Sequence, residues 1–145
     1  MPTKTVTVEA TMSQGFTMEC RAGDHTVYID QPKATGGANK GPNPLQYLQI
    51  SLAGCIGAIA RIVASQKNLP LRGVKVKVAG TLNTDRLLGK DVDSRTGFDS
   101  LEAHVEIDAD MSADEKQAFL AEIDKRCPIS DNIAGATPIS FHLMP

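Results

Sequence analysis

Polar and apolar residues alternate from the beginning of the chain. Val6 and Val8 against Thr5 and Thr7 predict a strand over residues 3–10. Phe16, Met18 and Cys20 alternate with Thr17, Glu19 and Arg21 in a second. The turn Ala22-Gly23-Asp24 leads into a third, Thr26 to Asp30. Three strands joined by short turns make an antiparallel meander. Residues 31–43 are rich in Gly and Pro and read as a loop. It ends in Asn43-Pro44, a helix start with Asn as the cap and Pro at the first helical position.

The predicted helix runs to Lys67-Asn68, where Asn68 and Pro70 stop it; some 24 residues give roughly 36 Å. Apolar residues lie nearly all round it between Leu48 and Ala64, so it is expected at the buried centre of the molecule. Gln46, Gln49, Ser51 and Arg61 interrupt the apolar run, which favours a buried helix over a membrane span.

Val74, Val76 and Val78 alternate with Lys75 and Lys77. Leu101, Ala103, Val105 and Ile107 alternate with Glu102, His104, Glu106 and Asp108. These are two one-sided strands whose outer faces carry opposite charge, as paired neighbours would. Residues 82–98 make a long polar connection between them. Ser112-Ala113-Asp114-Glu115 is a capping box opening a second helix, with Leu120, Ile123 and Cys127 as its apolar stripe and Pro128 as its interruption. Ile139 to Leu143 reads as a last short strand. The order βββ-α-ββ-α-β predicts one α+β domain over residues 1–145, with helices packed on sheet.

Charge narrows the function classes. Fifteen basic and 17 acidic residues are evenly mixed and leave a net charge of −2, so neither a nucleic-acid surface nor a basic membrane patch is expected. The start Met1-Pro2-Thr3-Lys4 lacks a charged-then-apolar leader, which points to the cytoplasm. Cysteines there stay reduced unless they take part in redox chemistry. Cys20, Cys55 and Cys127 contain no CxxC pair, and His25, His104 and His142 are scattered, so no metal and no cofactor is expected. Gly36-Gly37-Ala38-Asn39-Lys40-Gly41 has a phosphate-loop flavour but lacks the GK[ST] ending.

Two cysteines carry the candidate chemistry. Cys55 lies in the most apolar stretch, between Gly54 and Gly57, and each glycine costs about 1 kcal/mol in a helix interior relative to alanine. Either another element packs closely on that backbone, or a substrate and a second sulfur need room there. Cys55 is some three turns into its helix, beyond useful reach of the dipole, so an activated thiolate needs a cation from elsewhere. The plain alternative is a small buried hydrophobe. Cys127 continues the stripe of Leu120 and Ile123 and reads equally as core. Yet Pro128 can begin a new helix, and a sulfur just before such a start faces free backbone N–H groups, with Lys125 and Arg126 adjacent. Cys20 shares the Phe16/Met18 face and reads as core; Arg21 beside it reads, alone, as a surface charge.

Asn43-Pro44, Leu48, Gly54-Cys55 and, 72 positions after Cys55, Cys127-Pro128-Ile129-Ser130 together resemble the OsmC/Ohr family of bacterial thiol peroxidases and their relatives. The resemblance covers nearly the whole chain. It implies antiparallel strands packed around a long central helix that bears the cysteine, in an intertwined homodimer with sites at the subunit interface. It implies that Cys55 reduces an organic hydroperoxide and becomes a sulfenic acid, that Cys127 resolves this as a disulfide, and that an external dithiol completes the cycle. Arg21 matches the arginine that supports the thiolate, and Gln46, Gly54 and Gly57 fall where substrate is expected. One departure stands out. Hydroperoxide-active relatives carry a glutamate directly after Asn-Pro to hold the arginine; here Leu45 and then Gln46 follow. An amide can bond a guanidinium but brings no charge. Three readings follow: a Cys-based peroxidase, a non-catalytic redox sensor or small-ligand binder, and a dimer in which both sulfurs are merely core atoms.

Overall fold

The structure is a computed structural model describing residues 1–145. It divides into two compact units, Met1–Leu48 and Gln49–Pro145.

The first unit is a three-stranded antiparallel meander of β1 (Glu9–Met12), β2 (Met18–Ala22) and β3 (His25–Ile29), in that order. Its first strand is shorter than the alternation over residues 3–10 predicts and lies later, sharing only residues 9 and 10 with it. Glu9 pairs with Arg21 and Met12 with Met18, and β2 turns away after Ala22 through Gly23, whose φ is +61°. Residues 1–8 therefore have no neighbour to pair with and form no strand. Cys20 is buried between Ala10 and Val27 in register, and Arg21 is on the exposed face, as the alternation requires.

The loop after β3 is organised by Asp30, a residue the sequence reading used only as a strand end. Its carboxylate is buried and accepts from the backbone N–H groups of Gln31 (2.8 Å), Ala38 (3.3 Å) and Lys40 (3.1 Å), and from the Thr17 hydroxyl (2.8 Å). Burial raises the carboxyl's pKa, but the hydrogen bonds outweigh it and hold the group below its usual value. Two amides of the segment that suggested a phosphate loop, those of Ala38 and Lys40, are thus already occupied by the chain's own carboxylate, and those of Gly36, Gly37 and Asn39 by backbone carbonyls. Gly37 and Gly41 permit this path: a Cβ at either would run into the carbonyl of Gln31 or of Tyr28.

Helix α1 (Pro44–Lys67) starts where the sequence predicts. Asn43 and Gln46 cap it reciprocally: each side-chain oxygen accepts the other residue's backbone N–H at 2.9 Å. At its other end Asn68 takes the left-handed conformation (φ 53°), and the Leu69 N–H donates to the Ala64 carbonyl at 2.9 Å, closing a Schellman turn before Pro70.

In the second unit α1 is followed by the antiparallel pair β4 (Leu71–Thr81) and β5 (Ser100–Ala109), then α2 (Ala113–Arg126) and α3 (Pro128–Ala134). Lys75 faces Glu106 and Val76 faces Val105, so the charged and apolar faces match across the pair as expected. The Ser112/Glu115 capping box is present, with both bonds at 3.1 Å. The core joins Leu52, Ile56, Ala60, Val63 and Ala64 of α1 to Ile107, Ala109, Phe119, Ile123 and Cys127.

Two expectations need correction. Helix α1 is not buried all round: its spacing of four puts one stripe in the core, while Ile50 and Ile62 on other faces stay exposed. By length and composition alone α1 could cross a membrane. Residues 139–143 form no strand, because no backbone neighbour accompanies them within the chain. Ile139, Phe141 and Leu143 are left almost fully exposed, Phe141 at 94%.

Candidate active site

Pro128 shapes the site. It cannot donate to α2, and its ring keeps the preceding residue out of the helical region. Cys127 is accordingly extended (φ −82°, ψ 109°) and serves at once as the last cap of α2 and the first cap of α3. Its N–H donates to the Asp124 carbonyl at 3.3 Å, and its sulfur accepts the Ser130 N–H at 3.4 Å. The sulfur that the sequence left open between core and helix-start readings is both: 2% exposed, and aimed at the amides of α3.

Cys55 projects from α1 beside the core residues Leu52 and Ile56 and is half-buried. Cys127 and the Ile129 N–H lie close enough to the Cys55 sulfur for both to act on its titration. The first turn of α3 thus faces both sulfurs: the Ser130 N–H bonds that of Cys127, and the Ile129 N–H lies near that of Cys55. Burial pushes the Cys55 thiol above its ordinary pKa and the neighbouring Cys127 adds to this; the Ile129 N–H opposes them without reversing the result. All three cysteines are free. Chemically, the pair can close to a disulfide, and a sulfenic acid formed on one sulfur would meet the other at once.

A groove of about 380 Å³, lined by neither cysteine, lies among α1, β5, α2 and the start of α3. Leu52, Ile56, Leu101 and Leu120 give it apolar walls; Gln117, Asp124 and Ser130 are its polar groups.

The other expected site residues fare differently. Arg21 is an exposed residue of the first unit, without an ion pair or side-chain hydrogen bond in the chain. The Gln46 carbonyl oxygen is committed to the helix cap rather than to a guanidinium or a substrate. The close approach expected at the glycines is absent from the chain: a Cβ at Gly54 meets nothing within 4 Å, and one at Gly57 meets only Val74 Cγ2 at an ordinary 3.7 Å. Asp124 was missed. Its carboxylate accepts the Ser130 hydroxyl at 2.7 Å, a contact six positions apart that only the bend at Pro128 creates.

Comparison with known proteins agrees with this geometry. The OsmC-like protein family model matches residues 37–142, a stretch that holds both cysteines. A hydroperoxide reductase of Mycoplasma pneumoniae is 25% identical over 137 residues, 94% of this chain and 92% of that protein. The crystal structure of an OsmC like protein from Mycoplasma pneumoniae superposes with a TM-score of 0.78 at 26% identity, covering 91% of this chain and 89% of that one. An organic hydroperoxide resistance protein of Legionella pneumophila shares the fold at a TM-score of 0.70 and 21% identity, covering 93% of each chain. With most of its length and both sulfur-bearing elements matched, the chain belongs to the OsmC-like family.

Proposed function

We propose that the protein is a thiol peroxidase reducing organic hydroperoxides, with Cys55 as the attacking and Cys127 as the resolving cysteine. The observation that carries this reading is that two thiols 72 positions apart come close enough for Cys127 to act on the titration of Cys55, with Cys127 held by the Ser130 N–H and Cys55 packed against the same core cluster. Cys55 thiolate attacks the outer peroxide oxygen. The O–O bond breaks, the alkoxide takes a proton and leaves as an alcohol, and the sulfur keeps the hydroxyl as a sulfenic acid. Cys127 thiolate then attacks that sulfur; the S–S bond forms and the hydroxyl leaves as water with one proton. An external dithiol supplies two electrons and two protons, restoring both thiols and becoming a disulfide itself. Relatives named hydroperoxide reductase support the substrate class.

The first step needs a thiolate, and the chain's own groups raise the Cys55 pKa. The reading assigns the missing positive charge to Arg21, which has no other partner in the chain, and it assigns the protein to a reducing, cytoplasmic setting as a homodimer. Exposed Ile50, Ile62, Phe141 and Leu143 support a second copy as their cover.

The experiment is consumption of cumene hydroperoxide and hydrogen peroxide with a dithiol reductant. Wild type turns over the organic peroxide, Cys55→Ser does not, and Cys127→Ser stops after one equivalent. Negligible wild-type rates with both peroxides sink the enzymatic reading. The raised Cys55 pKa specifically favours one rival, a redox sensor that oxidises slowly. It predicts one disulfide per chain at the endpoint and no turnover.

A further inference from the structure

Asp124 is bonded at both sides of the bend that carries Cys127. Its carbonyl accepts the Cys127 N–H at 3.3 Å, and its carboxylate accepts the Ser130 hydroxyl at 2.7 Å. Ser130 in turn donates its N–H to the Cys127 sulfur at 3.4 Å, so the three residues close a ring around the Arg126-Cys127-Pro128 bend. The placement is not explained by the stability of α2. Asp124 lies in the last turn of that helix, where a negative charge opposes the dipole and where Lys125 and Arg126 suit it. The carboxylate instead fixes the first turn of α3. That turn supplies the Ser130 amide to the Cys127 sulfur and brings the Ile129 amide near the Cys55 sulfur.

We propose that Asp124 is a positioning residue, holding Ser130 and with it the α2–α3 bend in the setting where Cys127 meets Cys55. It touches neither sulfur and takes no part in the chemistry. The proposal rests on the Cys55–Cys127 peroxidase reading for its purpose, but the geometry it concerns belongs to the resting protein and can be measured without any peroxide.

The test is the thiol–disulfide equilibrium of the pair in glutathione buffers, in the full chain carrying Cys20→Ser. One oxidised glutathione takes two electrons and two protons from the dithiol and leaves as two reduced glutathiones, so the ratio at balance gives the effective concentration of one thiol for the other. Asp124→Ala and Ser130→Ala each lower it about fivefold to tenfold, as loss of one hydrogen bond to a charged acceptor allows. Asp124→Asn, which keeps an acceptor oxygen, recovers to within about twofold of the parent. The double variant Asp124→Ala/Ser130→Ala is no worse than either single one, because both remove the same contact. A merely structural role would shift the melting temperature and leave this ratio alone. An Asp124→Ala value within twofold of the parent overturns the proposal, as does a double variant whose loss is the product of the two. Should Asp124→Ala fail to fold, Ser130→Ala against the parent decides by the same limits. A wild type without peroxide turnover would remove the peroxidase reading and leave this equilibrium to be judged by itself.

Discussion

Oxidising Cys55 and Cys127 to a disulfide ties together residues 72 positions apart, across nearly everything from α1 to α3. In the chain-entropy model a cross-link of that span removes about 15 cal/mol/K from the unfolded ensemble, or about 4 kcal/mol at 25 °C. The native state is asked for little in return, because the two thiols are already near neighbours and Cys127 is held by the Ser130 amide. With a urea slope of about 2 kcal/mol per molar, the unfolding midpoint rises by about 2 M on oxidation. The assay is urea unfolding followed by far-UV circular dichroism at one protein concentration, with and without excess dithiothreitol. Peptide mapping under non-reducing conditions identifies the linkage, and Cys55→Ser gives the reductant-insensitive control. A protein shown to carry the Cys55–Cys127 bridge, yet with an unchanged or lower midpoint, would refute the reasoning. It would mean that closing the last distance between the sulfurs strains the native state by as much as the lost loop entropy, and that the pair is not poised to bond.

The remaining expectations concern the parts that hold this pair in place. Ile123 is fully buried beneath Cys127, and Ile123→Ala costs about 2–5 kcal/mol in the same unfolding assay. Asn68 is in the left-handed region, so Asn68→Val destabilises by about 1 kcal/mol while Asn68→Gly is neutral or slightly stabilising, as thermal melts will show. Asp30 has a lowered pKa in the folded chain, so its ionised form contributes stability above the unfolded carboxyl's pKa and loses it as pH falls through the folded one. Asp30→Asn therefore melts below wild type at pH 7, and the gap narrows in acid, beginning below about pH 4. Removing the assigned cation with Arg21→Ala should leave Cys55 titrating above an ordinary thiol, read from the pH dependence of iodoacetamide labelling at that residue; a midpoint at or below about 8.5 contradicts the burial argument.

Much of this architecture is local information, and local information is what a sequence displays. Asn43-Pro44, Ser112 with Glu115, and Asn68-Pro70 each form or break helices through groups within a few positions, so the helix starts and the end of α1 stand where the residues put them. Alternation of Val74 to Val78 and of Leu101 to Ile107 fixed the faces of the strand pair for the same reason. The errors fell where a strand needs a neighbour that periodicity cannot supply. Residues 1–8 outrun β2, and Ile139 to Leu143 alternates correctly but finds no backbone beside it within the chain.

The chemistry divides in the same way. The residues alone determined that two cysteines sit in special surroundings, one on an apolar helix and one before a helix-starting proline, and the pairing of these elements marked the family. What they could not decide was contact. Thiols on α1 and at the α2–α3 bend become neighbours only because the packing of Leu52 and Ile56 against Ile107, Phe119 and Ile123 sets the distance between their elements. The raised pKa of Cys55, the ring through Asp124 and the filling of the glycine-rich loop by Asp30 are likewise products of that packing or of chain reversal. Each depends on burial and on bonds whose partners are brought near only when the chain has folded, and no residue pattern carries those quantities by itself.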